Sequence, residues 1–221
     1  MDAPGRWALS GECVVGVVGH RSGGESLPSD LHRVRGPSLV VAARYDVSPV
    51  GPYLELAVSE PARLGASIGM CVTTIVVTTA DARRGGRANW GMPKELGSLD
   101  WFEEGDVRGL RWVERDVVLR GTPVGPPLPT LVPFRSLQHR VDGPVAAAAS
   151  LRGLARMAKV EVEVADGDPL AWTAGRHAGA VVSSARLVMG EAHPAPGPRR
   201  PRPARRPALE PALSWGPQAG D

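Results

Sequence analysis

The sequence predicts a mostly β domain of the α+β class, with an antiparallel sheet in a barrel or sandwich arrangement and a few short helices. Short runs of apolar and β-branched residues recur along the chain, and Gly, Pro, Asp or Ser separates them. The chain has no internal repeat and no strand–helix–strand alternation of about 30 residues, the pattern typical of a parallel sheet. Antiparallel strands that follow one another along the chain without intervening helices are therefore favoured.

Ten segments have the composition of strands: 12–18, 38–47, 53–59, 69–79, 98–103, 107–114, 116–120, 129–135, 157–164 and 178–189. In the ninth, apolar and charged residues alternate strictly from Lys159 to Val164, which is typical of a half-exposed strand. Two segments predict short helices, 80–90 and 168–175. Gly85 and Gly86 weaken the first helix, because glycine is a poor helix former.

A length of 221 residues suits one domain with an appendage. We assign residues 1–193 to the β domain and residues 194–221 to a disordered tail, which holds eight prolines and five arginines. With two acidic residues, the tail carries a net charge of +3, equal to that of the whole chain, so the domain itself is neutral. No aromatic residue lies among the arginines of the tail, so nucleic acid is not a predicted partner.

Several classes of protein and site are excluded. No apolar run reaches the roughly 18 residues that span a membrane, and the first apolar stretch, Cys13 to Val18, is short for a secretory signal. We therefore expect a cytoplasmic protein without membrane contact. The five histidines lack the spacing of metal ligands, and no phosphate-binding loop or nucleophile elbow is present, so neither metal nor cofactor is predicted. Cys13 and Cys71 are expected to be buried free thiols.

Lysine is rare in this chain, which has 24 arginines but only Lys94 and Lys159. An arginine stays protonated and cannot serve as a nucleophilic amine, so each lysine is informative. Lys94 follows Trp90, Met92 and Pro93, and burial among such residues would favour its neutral amine. A neutral amine can attack a ketone and form an iminium, which accepts electrons from a breaking bond. From these residues alone, an ordinary exposed lysine remains the alternative; Lys159 is expected to be solvated or ion-paired.

The wider pattern extends over about residues 38–100. It comprises Tyr45-Asp46, Tyr53-x-Glu55, Gly86-Arg87 and, five residues later, Pro93-Lys94-x-Leu96-Gly97. These motifs resemble the Tyr-x-Glu segment and the Schiff-base lysine segment of acetoacetate decarboxylases, and the 39-residue separation of Glu55 from Lys94 fits without a gap. The resemblance implies the fold of that family, a cone-like antiparallel β barrel with flanking helices.

The resemblance also implies a cofactor-independent lyase that acts on a β-keto acid or related carbonyl compound. Lys94 would form the iminium and Glu55 would transfer protons. We predict a substrate pocket for this small keto acid or ketone, lined by Tyr53, Trp90, Met92, Pro93 and His177. A homo-oligomer is implied as well, although no interface can be read from the sequence.

Three positions depart from the pattern of the family. Glu95 stands where a second lysine follows the Schiff-base lysine, and the alternation of an extended segment predicts that Glu95 points away from its neighbour. Val40 stands where the family has a second acidic residue. The arginine that the family associates with the substrate carboxylate falls near Ala8, and neither Arg6 nor Arg21 can be placed there.

These departures leave three functions open. The first is a decarboxylase, and the second is an aldolase or dehydratase that uses the same lysine without decarboxylation. The missing acid and arginine favour the second. The third is a non-catalytic β-barrel protein that binds a small carbonyl ligand.

Overall fold

The computed structural model describes residues 5–19 and 27–195. This part of the chain forms one α-helix, α1 (Ala80–Trp90), and two short 3-10 turns, Val113–Arg115 and Ala171–Thr173. Its twelve strands are β1 (Trp7–Val18), β2 (His32–Arg33), β3 (Ser38–Val47), β4 (Tyr53–Leu64), β5 (Ser67–Val77), β6 (Lys94–Leu96), β7 (Leu99–Glu104), β8 (Val107–Trp112), β9 (Val117–Arg140), β10 (Gly143–Glu163), β11 (Gly175–Met189) and β12 (His193–Pro194).

All twelve strands belong to one sheet, and the ladder of its strand pairs closes on itself. From β9 the pairing passes through β10, β11, β1, β3, β4 and β5 and then returns to β9. The predicted mostly β fold is confirmed. The sheet is mixed rather than antiparallel throughout, because β6 and β9 both run parallel to β5.

The largest difference from the predicted strands is a long hairpin of β9 and β10. The sequence predicted short strands at 116–120, 129–135 and 157–164, whereas β9 and β10 stay paired over nearly their whole length. Five prolines interrupt the strand pattern of β9 because proline donates no ladder hydrogen bond: Pro123, Pro126, Pro127, Pro129 and Pro133. The ladder accommodates them with a register shift between Ala155 and Met157 of β10.

Helix α1 has the predicted bounds. The hydroxyl of Thr79 accepts a hydrogen bond from the Ala82 N–H at 3.3 Å, which satisfies a free donor of the first turn. Gly91 adopts a left-handed φ of 71° and ends the helix, as its N–H donates to the Arg87 carbonyl. The second predicted helix, 168–175, is reduced to the 3-10 turn at Ala171–Thr173.

Three clusters of buried apolar residues form the core of the described part of the chain. One joins the face of α1 that carries Ala82 and Trp90 to Trp7, Tyr45 and Tyr53 on the strands. The second cluster includes Leu56 and Val76 and extends to Leu110 on β8 and Leu119 on β9. The third is smaller and includes Cys71 and Leu137. Both cysteines are buried free thiols as expected, and burial raises the pKa of Cys13 and of Cys71 to about 12.

Strand β12 crosses the predicted start of the tail, because His193 and Pro194 pair with β10 and the Ala195 N–H donates to Pro144. Residues 196–221 of the predicted tail lie outside the described residues. Within the described ranges, no helix is both long enough and apolar enough to cross a membrane.

Strands β1 and β11 approach closely where Gly16 faces Gly179. A Cβ on Gly179 would lie 2.1 Å from the Val15 carbonyl oxygen and 2.5 Å from the side chain of Val160. We therefore expect G179A to lower the free energy of unfolding by about 1–3 kcal/mol in urea titrations, because backbone must move. The control G19A adds a methyl group where, apart from the adjacent residues of the chain, no described residue lies within 4 Å. Equal stability of the two variants would contradict this close packing.

Candidate active site

Lys94 is the first residue of β6, the short strand that follows α1. Its N–H donates to the Met92 carbonyl at 2.8 Å, and its carbonyl accepts from Arg87 Nε at 2.7 Å. Pairing with Ile75 fixes its register on β5, and the residue is 3% exposed. Glu95 is exposed on the other side, as the alternation predicted. The local backbone therefore directs the lysine inward and its acidic neighbour outward.

Helix α1 makes room for the lysine side chain at Gly86. A Cβ at this position would lie 2.5 Å from both Cδ and Cε of Lys94. A glycine inside a helix is about 1 kcal/mol less favourable than alanine, so it needs a reason in packing or function. The close approach of the lysine supplies that reason.

Glu55 meets Lys94 inside the protein. Lys94 Nζ donates to Glu55 Oε2 at 2.7 Å, and the two side chains are only 4% and 12% exposed. Strands β4 and β6 lie on either side of β5, where their ladder partners are two residues apart, at Ile75 for Lys94 and Val77 for Glu55. Residues two apart on a strand share a face, so the sheet brings both side chains to the same face.

Aromatic rings surround this pair. Lys94 Nζ lies 5.3 Å from the ring centroid of Tyr53 and 5.7 Å from that of Trp7. The Tyr45 hydroxyl lies 3.5 Å from Glu55 Oε1. Burial, together with the nearby carboxylate, raises the pKa of Tyr45 and of Tyr53 well above the usual range. Both hydroxyls therefore stay protonated, and the rings stand where water would otherwise solvate the charges.

A cavity of about 380 Å³ lies inside the closed sheet beside the pair. Glu55 and Met92 line it, whereas Lys94, which contacts Glu55, is not part of the lining. Most other lining side chains are aliphatic or aromatic, and the uncharged polar ones are Cys13, Tyr45, Ser59, Thr130 and Ser136. Among the described residues that line the cavity, Glu55 is the one acidic side chain, and none is Lys, Arg or His.

The structure separates the predicted pocket residues into two groups. Of the five predicted residues, only Met92 lines the cavity. Tyr53 and Trp90 lie outside the lining: Tyr53 packs under the Lys94 ammonium, and the Trp90 ring lies edge-on to the Trp7 ring, with 5.1 Å between the ring centroids. Pro93 is exposed and lies outside the lining, because it alternates with Lys94 along an extended segment. His177 also lies outside it, where Nε2 contacts the Thr173 carbonyl at 2.8 Å and fixes the 3-10 turn.

Trp7, whose ring packs near the Lys94 ammonium, was not predicted as a site residue. It precedes the first predicted strand, 12–18, whereas β1 begins at Trp7. Val40, at the position of the missing acid, packs in the second apolar cluster. Arg6 and Ala8 are exposed, and Arg21 lies outside the described residues. Among the residues that the structure describes, no group of three or more His, Cys, Asp or Glu side chains is arranged to hold a metal ion.

Solved structures of similar fold are known. Acetoacetate decarboxylase from Legionella pneumophila subsp. pneumophila str. Philadelphia 1 is 16% identical, with a TM-score of 0.63 over 88% of each chain. The enduracididine biosynthesis enzyme MppR, complexed with pyruvate, is 15% identical, with a TM-score of 0.60 over 87% of this chain and 89% of its own. An acetoacetate decarboxylase-like enzyme from Sphingomonas wittichii RW1 is 16% identical, with a TM-score of 0.57 over 84% and 90%.

At these identities the likeness shows the fold alone. The curated protein sequences contain no match to this chain. The family model described as acetoacetate decarboxylase (ADC) matches residues 25–162, a range that includes both Glu55 and Lys94. Since this match covers more than half of the 221 residues, the chain belongs to the acetoacetate decarboxylase family.

Proposed function

We propose that this protein is a Schiff-base enzyme that acts on a β-keto acid or related carbonyl compound through an iminium on Lys94. The observation that carries the proposal is the buried contact of 2.7 Å between Lys94 Nζ and Glu55 Oε2. A lysine nucleophile must lose a proton before it can attack, and this carboxylate lies within hydrogen-bond reach to accept it.

The first step is a proton transfer within the pair. When Glu55 accepts a proton from Lys94, the ammonium and carboxylate become an amine and a carboxylic acid, and no charge has to leave the site. Glu55 must then turn aside for a substrate in the cavity to reach Lys94, because Glu55 lines the cavity and Lys94 does not.

The amine next attacks the carbonyl carbon of the substrate. Its nitrogen lone pair forms the C–N bond, the C=O electrons move to oxygen, and one proton passes from the nitrogen to that oxygen. Loss of this oxygen as water gives the protonated iminium, with the required proton returned by Glu55. Because Glu55 lines the cavity, its carboxyl group can reach both the nitrogen and the departing oxygen.

In a β-keto acid, the iminium accepts the electron pair of the bond to the carboxylate carbon. Carbon dioxide leaves, and the enamine that remains is protonated on carbon. Water then adds to the resulting iminium, which releases the ketone and restores the Lys94 amine. The raised pKa of Tyr45 keeps its hydroxyl protonated, so it can hold the Glu55 carboxylate in place between these steps.

A second candidate keeps the iminium but omits decarboxylation, as in an aldolase or dehydratase. It is favoured by the absence of Lys, Arg and His from the described residues that line the cavity, since a substrate carboxylate would find no further cation there. MppR, one of the structural neighbours, is also known with a condensation product of pyruvate and imidazole 4-carboxaldehyde. Release of carbon dioxide from a β-keto acid distinguishes the first candidate from the second.

The first prediction concerns the nucleophile. Incubation with pyruvate and borohydride should add one reduced adduct to the protein, and peptide mass spectrometry should place it on Lys94. K94R should abolish the adduct, because the guanidinium keeps the charge but not the nucleophile. K159R, which removes the only other lysine of the chain, should leave it unchanged. An adduct that persists in K94R would exclude this mechanism, and binding of pyruvate without any adduct would favour the binding-protein function.

The second prediction concerns the proton acceptor. E55Q keeps the shape of the side chain but removes its basicity, so we expect the rate of adduct formation with pyruvate to fall by about 10²–10⁴-fold. E95Q removes the same charge from the exposed neighbour of Lys94 and should change the rate less than twofold. Thermal unfolding of both variants serves as the stability control. Similar rates for E55Q and the unmodified protein would contradict the role of Glu55.

A further inference from the structure

The cavity is longer than the reacting pair requires. Glu55 lines it near Lys94, and Ser59 lines it four residues further along β4, which corresponds to about 13 Å of extended strand. Strand β5 gives a second measure, since Lys94 pairs with Ile75 and Ser136 pairs with Met70. These ladder partners are five residues apart, or about 16 Å along the strand.

Ser59 and Ser136 mark the same far end. Their ladder partners on β5 are Val72 and Met70, only two residues apart. The cavity therefore leads from the carboxylate of Glu55 at one end to two hydroxyl-bearing side chains at the other.

The wall between the two ends is apolar. Between Glu55 and Ser59 it is formed by Ala57 and by Val41, its ladder partner on β3. The rest of the lining includes Val132, Phe134, Ala180 and Leu187. At about 30 Å³ for each non-hydrogen atom, the liquid volume of water, a cavity of about 380 Å³ holds roughly a dozen such atoms. A keto acid the size of pyruvate, with about six non-hydrogen atoms, fills only half of it. The remaining space suits an apolar chain and disfavours a second charge.

Ser136 supplies the specific feature of the far end. It is 4% exposed, and its hydroxyl has no hydrogen-bond partner among the described residues. Buried hydroxyl groups are nearly always paired, so an unpaired one in the wall of a cavity indicates a group that binds there. A serine hydroxyl both donates and accepts, which suits an uncharged oxygen or an amide of a ligand.

If the proposed Schiff-base chemistry holds, these features define its substrate. We propose that the substrate is an elongated carbonyl compound whose carbonyl carbon reacts with Lys94, whose apolar chain fills the cavity, and whose far end carries an uncharged polar group that Ser136 binds. Because Ser136 lies far from the reacting atoms, it contributes to binding and not to the bond-breaking step.

The test measures the ketone concentration that gives half-maximal borohydride labelling of Lys94. Acetone and 2-alkanones of increasing length serve as probes, together with long 2-alkanones that carry a terminal hydroxyl group. Labelling should become half-maximal at lower concentration as the chain lengthens, until the chain exceeds the cavity. The terminal hydroxyl should lower this concentration by a further five- to tenfold at the matching length, the effect of one net hydrogen bond.

Three variants locate the effect. S136A should remove the gain from the terminal hydroxyl but leave the unsubstituted series unchanged, and the exposed S98A is the matched control. A57L narrows the cavity between Glu55 and Ser59, so it should weaken labelling by long ketones and spare acetone. Retained labelling by acetone also shows that A57L is folded.

Two results would overturn the inference while the proposed function stands: labelling by acetone that does not improve with chain length, and a hydroxyl gain that S136A retains. Failure of every ketone and of pyruvate to label Lys94 would instead overturn the proposed function itself.

Discussion

A lysine ammonium and a glutamate carboxylate, 2.7 Å apart in an apolar interior, are the interaction around which this end of the domain is arranged. Removing both groups from water is costly, and their attraction offsets that cost only when geometry and packing are favourable. Trp7 and Tyr53 exclude water from the ammonium, and Gly86 gives the lysine stem its passage beneath α1. Apolar residues in place of this ion pair would stabilise the same fold as well. The buried pair is therefore better explained by reactivity than by stability.

Strand β5 sets the positions of the functional groups. Glu55 on β4, Lys94 on β6 and Ser136 on β9 each take their register from it. The ladder partners of the first two are two residues apart on β5, which brings their side chains together. The β5 partner of Ser136 is five residues from that of Lys94, which sets Ser136 apart from the pair. In the proposed function, one strand thus fixes both the contact of Lys94 with Glu55 and the length of substrate that the cavity would admit.

Much of this arrangement follows from local sequence signals. The predicted bounds of β3 and α1 match the structure to the residue; an apolar run defines β3, and in the structure Thr79 and Gly91 cap α1. The scarcity of lysine and the family pattern singled out Lys94 and Glu55 as candidates, and the structure places the two in contact. The parallel pairing of β6 and β9 with β5 was not predictable, since contacts between distant segments leave no periodic signal. Ser136 gave no signal either, because it follows the proline-interrupted part of β9.

The central claim is that Lys94 is the amine that reacts with carbonyl compounds. Because the chain has only two lysines, protein labelled with ¹⁵N at lysine Nζ gives two assignable nitrogen signals. On addition of excess acetone, the Lys94 signal should move from the amine or ammonium region to the imine region, while the Lys159 signal stays in place. Two unmoved signals in the presence of bound ketone, or an imine signal from Lys159 alone, would contradict the account.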